Sequence, residues 1–401
     1  MWHNSPQNPT KRAANHSYTM KLVSTETYRP GLEGVVAAET GLSLVDGQNG
    51  RLLIAGYALE DIAAHASFEE VAFLLWRGEL PDRSKLDEFK STMAAYRVLP
   101  SATHSLLEQA AHHQVPPMDA LRMAAATFDI DLGDVDDFTR AKAVTARVPP
   151  TVATYWRYLT GQDPIPPSPT LGRSANYLYM LTGTEPGPAT VRALETYLNT
   201  VADHGLNAST FAARVIIATK SDMVSAVTGA IGALKGPLHG GAPGPALDMV
   251  FEIGTADRAE DVIRAKLDND ERLMGFGHRV YKVRDPRADV LADAAEKMFA
   301  SEGDMGLYDL AKAVEATALK LLDEYKPGRN LKTNVEFFTA LLLHGIGLEA
   351  PLFTPTFAAG RVAGWIAHCL EQQRTGRLIR PDSTYIGRTG LKWKPVETRK
   401  G

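Results

Sequence analysis

The 401-residue chain holds a single cysteine, Cys369. No disulfide can form within it, and a reducing compartment is the default environment for such a sequence. Long apolar runs are missing as well. The longest stretches free of Asp, Glu, Lys and Arg are 12 residues, short of the roughly 20 that a membrane-spanning helix needs. Excess charge of one sign is also lacking: Lys+Arg number 43 and Asp+Glu 47, a net of −4. That balance removes the electrostatic reason to expect nucleic acid or an anionic membrane as a partner. No GxGxxG follows a strand pattern, and no GxxxxGK[ST], HExxH or CxxC occurs. A dinucleotide fingerprint, an NTPase phosphate loop and a ready-made zinc site are thereby excluded, and no metal is expected. No apolar core of a secretory signal follows Lys11-Arg12, so a cytoplasmic protein is expected.

What is present is helical period. Leu86, Phe89, Met93 and Tyr96 form one apolar stripe, with Ser84 and Asp87 as its expected capping box. Ser67 and Glu70 make the same signature ahead of Val71, Leu74 and Leu75. Gly187-Pro188 opens a helix through Val201, Asn207 one through Lys220, and Ser221-Asp222 one through Lys235. Asp285-Pro286, the stripe Leu310 to Tyr325, and a long segment from Thr356 complete the set. Strand signals are scarce: residues 41–47 and 51–54 read as one hairpin. The expected fold is nearly all-α, with a minor β element near the N-terminus. Residues 1–28 read as a polar flexible tail, and 388–401 as a basic end.

The 33 glycines and 24 prolines are unremarkable as totals, but several crowd around histidines. His204 follows an amphipathic helix and precedes Gly205, where a helix dipole would favour the imidazolium. His239 sits in GPLHGGAPG, residues 236–244, a loop whose glycines allow close backbone approach to a ligand. His278 sits between Gly277 and a cationic stretch, with Arg287 in the first turn of the next helix. A guanidinium beside a helix N-terminus suits a carboxylate or phosphate. Glu336 lies in the first turn of an apolar helix, where the dipole would keep it ionised. Each segment alone has an ordinary structural explanation. Together they supply two hydrogen-bonding imidazoles, a base and cationic anchors, the groups needed to abstract a proton beside a carbonyl.

In this combination the chain resembles the citrate synthase family, of bacterial type, over roughly residues 30–390. The motifs are DHGLNASTFAARV (203–215), AVTGAIGALKGPLHGGAPG (226–244), MGFGHRVYKVRDPRADVL (274–291), NVEFF (334–338), LFTPTFAAGRVAGW (352–365) and RLIRP (377–381). The resemblance implies an α-helical homodimer with a large domain, 29–242 plus 346–401, and a small domain, 243–345, that closes over the acyl-CoA. It implies condensation of acetyl-CoA with oxaloacetate and hydrolysis of the citryl thioester, with CoA as part of a substrate and no further cofactor. It assigns His239 to the enolising thioester carbonyl, His278 to the oxaloacetate carbonyl, and Glu336 to the base. His204, Arg287 and Arg361 would bind carboxylates, and Arg380 would reach the partner's site. Met274, Gly275, Phe276, Gly277, Lys282 and Asn334 would meet CoA.

Two departures stand out. The family's base is usually aspartate, and Glu336 is one methylene longer, a displacement of a size that can cost ~10²-fold in rate. Gly205 stands where many members carry an acid. Three alternatives stay open: a 2-methylcitrate synthase using propionyl-CoA, a citryl-CoA lyase, and a non-catalytic relative.

Overall fold

The structure, a computed structural model, describes residues 28–240, 244–278 and 280–399. The expected tail, apart from Tyr28, lies outside the described residues. So do Gly241, Ala242 and Pro243, the expected domain boundary, and Lys400 and Gly401 of the basic end.

A three-stranded antiparallel sheet opens the fold, in the order β1 (Ser43–Asp46), β2 (Arg51–Ile54), β3 (Tyr57–Ala58). Ser43 pairs with Ile54 and Asp46 with Arg51, as the hairpin reading required; the two-residue β3 carried no sequence signal. Sixteen α-helices follow among the described residues. The first eight are α1 (Leu59–Ala63), α2 (Phe68–Arg77), α3 (Arg83–Ala95), α4 (Ser101–His112), α5 (Pro117–Ala125), α6 (Asp137–Leu159), α7 (Arg173–Thr182) and α8 (Pro188–Thr200). The rest are α9 (Ala208–Ile217), α10 (Met223–Leu234), α11 (Gly244–Ile253), α12 (Ala259–Asp268), α13 (Pro286–Glu302), α14 (Met305–Tyr325), α15 (Val335–Gly345) and α16 (Phe353–Thr375).

Side-chain caps explain eight of the sixteen starts. Ser67 and Glu70 form the reciprocal capping box of α2, while Asn207 caps α9, Asp222 α10, Asp285 α13 and Asn334 α15. The start of α3 needs correction: Asp82, not Ser84, accepts the capping N–H, that of Lys85. Helix α9 stops at Ile217, before Lys220, and α16 begins at Phe353, before Thr356. Helix α6 accommodates Pro149 and Pro150 in its interior, although each removes an intrahelical N–H donor.

Residues 38–379 form one compact unit; the described terminal segments, 28–37 and 380–399, cluster as another. In the first, α16 is the central rod. Trp365, Ile366 and Cys369 are fully buried, and the helix packs against α2, α5, α6, α8, α9 and α10. Helices α11 to α15 pack largely on one another, and α13 and α15 also rest on α8. Among the described residues, no single helix is long and apolar enough to cross a membrane. The bent pair Val335–Gly345 and Ala350–Arg374 passes on composition, and its apolar side chains lie in the core. In the terminal unit, described for 28–37 and 380–399, large apolar side chains stand exposed, including Tyr28, Ile386 and Trp393.

Candidate active site

A cavity of about 280 Å3 collects residues that are far apart in sequence. Its lining includes His204, His239, His278, Arg287, Asn334, Glu336 and Arg361, with Tyr197, Val201, Phe353 and Phe357 as its apolar wall.

His239 is oriented from behind. Its Nε2 lies 2.7 Å from Ser209 Oγ, and the Ser209 backbone N–H also points at Nε2, at 3.3 Å. A backbone N–H can only donate, so Nε2 accepts and Nδ1 carries the proton. Ser209 Oγ in turn accepts from Trp365 Nε1 at 3.0 Å and lies 2.8 Å from Asn207 Oδ1. The ring therefore presents Nδ1–H as its remaining donor. Burial, and then the charge of Arg361, lower its pKa to about 4, so it is neutral at physiological pH.

His278 has the opposite tautomer. Its Nδ1 accepts two backbone N–H groups, from Val280 and Tyr281, both at 3.0 Å. The ring proton is left on Nε2, which lies 3.3 Å from Arg287 Nη2. Both atoms are donors, so neither satisfies the other and both are left to an oxygen acceptor such as a carbonyl or carboxylate. Burial and the Arg287 charge lower this ring to about 4 as well.

His204 differs from the sequence reading. It sits in a loop beyond the end of α8 at Thr200, with Nε2 3.1 Å from the Tyr281 hydroxyl. Burial and the guanidiniums of Arg287 and Arg361 hold its pKa well below the ordinary value. It is a neutral ring and not a dipole-compensating imidazolium: two nearby cations outweigh a helix end that stops four residues earlier.

The two guanidiniums are buried. Arg287, in the first turn of α13, is fixed by Asp285: Nε lies 3.0 Å from Oδ1 and Nη2 2.8 Å from Oδ2. Burial opposes its charge, but Asp285 outweighs burial and the net shift is upward. Arg361, on α16, donates to the Val201 carbonyl and stacks 4.7 Å above the Phe357 ring. Burial, with Arg287 as a like charge, lowers it to about 10, so it too is charged at pH 7.

Glu336 is half-buried in the first turn of α15, its N–H donating to Asn334 Oδ1 at 2.9 Å. Its pKa is raised by burial, against the pull of Arg272 and Arg287. Burial outweighs the helix dipole in setting the direction of this shift. A raised pKa makes it the stronger base.

The remaining expected residues lie outside this lining. Met274, Gly275, Phe276 and Gly277 form a turn held against 332–334: Asn334 N–H donates to Gly275 O at 2.9 Å, and Gly277 N–H to Lys332 O at 2.7 Å. Asn334 Nδ2 closes the turn by donating to Gly277 O at 2.8 Å. Lys282 is exposed, its backbone N–H donating to Gly47 O. Arg380 belongs to the terminal unit and is exposed, 4.0 Å from Asp382. Sequence reasoning missed Ser209, Tyr281 and Trp365. All three lie inside quoted motifs, but only the fold reveals which ring each one orients. Among the described residues no group of His, Cys, Asp or Glu is placed to hold a metal ion.

Comparison with known proteins agrees with this geometry. A profile described as "Citrate synthase, C-terminal domain" matches residues 31–382. The citrate synthase of Haloferax volcanii is 42% identical over 379 residues, 92% of this chain and 98% of that protein. A 2-methylcitrate synthase of Mycobacterium tuberculosis is 40% identical over 380 residues, 94% of this chain and 95% of that protein. Among solved structures, the citrate synthase of Pyrobaculum aerophilum superposes with a TM-score of 0.83 at 36% identity, covering 92% of this chain and 95% of that one. A ternary complex of Thermoplasma acidophilum citrate synthase with carboxymethyl coenzyme A and oxaloacetate gives 0.83 at 30% identity, covering 94% and 100%. Fold, family profile and full-length relatives agree, and the chain belongs to the citrate synthase family.

Proposed function

We propose that the protein condenses acetyl-CoA with oxaloacetate and hydrolyses the resulting citryl thioester to citrate and CoA. One observation carries the reading: two neutral imidazoles of opposite tautomer share a cavity with a carboxylate of raised pKa and two buried guanidiniums. A carboxylate is too weak to deprotonate carbon unless the enolate oxygen is stabilised at the same moment. Glu336 takes the proton from the acyl α-carbon while His239 Nδ1–H donates to the thioester oxygen. The enol carbon forms the new bond to the oxaloacetate carbonyl carbon. His278 Nε2–H polarises that carbonyl and gives its proton to the alkoxide. Arg287 and Arg361 bind the carboxylates, with His204 beside them. Water then attacks the thioester; its two protons go to the leaving CoA thiolate and to His278, and Glu336 releases the proton it took to solvent.

The Met274–Gly277 turn, Asn334 and Lys282 take the CoA moiety. Segment 243–345 serves as a small domain that closes on it, a role supported by the mutual packing of α11 to α15. The working form is a homodimer in which Arg380 reaches the partner's site. The apolar side chains exposed on the terminal unit support this. Propionyl-CoA is the second substrate to consider, because a relative of 40% identity bears the name 2-methylcitrate synthase. One methylene is worth about 1–3 kcal/mol of discrimination. Free CoA release is measured from oxaloacetate with acetyl-CoA and with propionyl-CoA in parallel. Faster kcat/KM with acetyl-CoA is expected. Release with neither thioester from folded protein overturns the synthase reading, and faster release with propionyl-CoA reassigns the substrate.

A further inference from the structure

Strand β1 and Gly47, in the turn that follows it, touch two of the loops that carry substrate-facing histidines, and the chemistry above makes no use of them. Ser43 Oγ accepts the Gly205 N–H at 2.8 Å and donates to Asp203 Oδ2 at 2.6 Å. Two residues on, along the same face of the pleat, Val45 lies against Gly205: a Cβ there would sit 3.4 Å from Val45 Cγ2. Gly205 has φ +61°, which suits glycine. Two residues further, Gly47 O accepts the Lys282 N–H at 2.8 Å. The backbones are so close that a Cβ on Gly47 would meet Val280 O at 2.4 Å. The Ser43 end rests on the loop of His204 and the Gly47 end on the loop of His278, whose ring centroids are 6.3 Å apart.

The Ser43 end is anchored in the core. Asp203, fully buried, accepts His368 Nε2 at 3.2 Å on its other oxygen. His368 Nδ1 accepts Arg214 Nη1 at 2.7 Å, and the same nitrogen pairs with Glu371 at 2.7 Å. Glu371 in turn accepts the Gly41 N–H at 3.0 Å, just ahead of the strand. Arg214 only donates, so His368 Nδ1 accepts and Nε2–H faces Asp203. The hydrogen bonds converge on the carboxylates of Asp203 and Glu371 and tie β1 to α9 and α16.

We propose that β1 is a strut that sets the position of the His204 loop against the His278 loop, with Ser43 and Gly47 as positioning residues. Its kinetic consequence rests on the synthase reading; its structural consequence does not. The test uses the full chain with Ser43→Ala, Ser43→Thr and Gly47→Ala. Backbone hydrogen–deuterium exchange is followed in 199–210 and 274–285, together with Tm and the KM for each substrate. Ser43→Ala is expected to raise exchange in 199–210, Gly47→Ala in 274–285, and Ser43→Thr, which keeps the hydroxyl, to restore protection. The oxaloacetate KM is expected to rise at least tenfold in both disruptive variants, with the acyl-CoA KM within twofold. Exchange changes confined to 41–58 overturn the strut. So does an unchanged oxaloacetate KM with a lowered Tm, the mark of a merely structural contact. Should wild-type protein release no CoA, the synthase reading fails while the exchange comparison still decides the strut. Should Gly47→Ala not fold, the two Ser43 variants decide it.

Discussion

Acidification separates this site from one built on ordinary imidazoles. His239 and His278 are held at about 4. At pH 5.5 about 3% of each ring is protonated, so both donors are neutral in about 94% of molecules. Two unperturbed imidazoles, with pKa about 6.5, would both be neutral in about 1%. The imidazole contribution to kcat/KM therefore falls by less than a tenth between pH 8 and pH 5.5, where ordinary rings would cost about 100-fold. Glu336 works as the carboxylate, and burial raises its pKa above the ordinary 4.5. Activity is present above that value and lost as pH falls through it. The acid limb should have unit slope and belong to Glu336. The assay is kcat/KM from pH 5 to 9 at constant ionic strength, paired with 15N NMR of the ring nitrogens. A limb of slope two, or ring shifts of His239 or His278 titrating near 6.5, would refute the argument.

Other substitutions probe single links. Glu336→Gln should lower kcat by about 10²- to 10⁴-fold while oxaloacetate binding, measured by calorimetry, stays within severalfold; a nearly unchanged kcat assigns the base elsewhere. Ser209→Ala removes the acceptor of the buried Trp365 Nε1–H and the 2.7 Å partner of His239. Stability should fall by about 1–3 kcal/mol and kcat by about 10²-fold; full activity in steady-state kinetics would show that the hydroxyl does not orient the ring. Asp285→Ala leaves Arg287, 5% exposed, without its counter-ion and α13 without its cap. Urea denaturation should register a loss of about 3–5 kcal/mol, and a loss under 1 kcal/mol would mean that the pair is solvated.

Much of this was legible in the residues, because capping and turn chemistry are local. Ser67 with Glu70, Asn207, Asp222 and Asp285 each mark a helix start where one occurs. Asp82 was hidden because Ser84 and Asp87 offer a competing capping pattern two residues later. Helix α6 gave no clear signal because Pro149 and Pro150 interrupt it, a cost that packing inside the core overrides. The candidate site could be assembled from motifs as a set of residue types. Its protonation states could not. His204 sits near a helix end whose dipole predicts the charged ring, while burial and neighbouring guanidiniums hold it neutral; at Glu336 burial raises the pKa against the pull of Arg272 and Arg287. Those neighbours come from segments up to about 150 residues away, and no local window contains them.

The central placement of α16 also bears on how the chain is made. Its partners α2, α5, α6, α8, α9 and α10 all precede residue 235, whereas α16 spans Phe353–Thr375. At ~5–20 residues per second of synthesis, the core face of α10 waits about 7–30 s for the rod that covers it, and that of α2 about 15–60 s. Arg361 arrives on the same rod. A shortened chain therefore loses its core and the guanidinium proposed to bind substrate together, and the growing polypeptide is most exposed to aggregation in the interval just before the last long helix emerges.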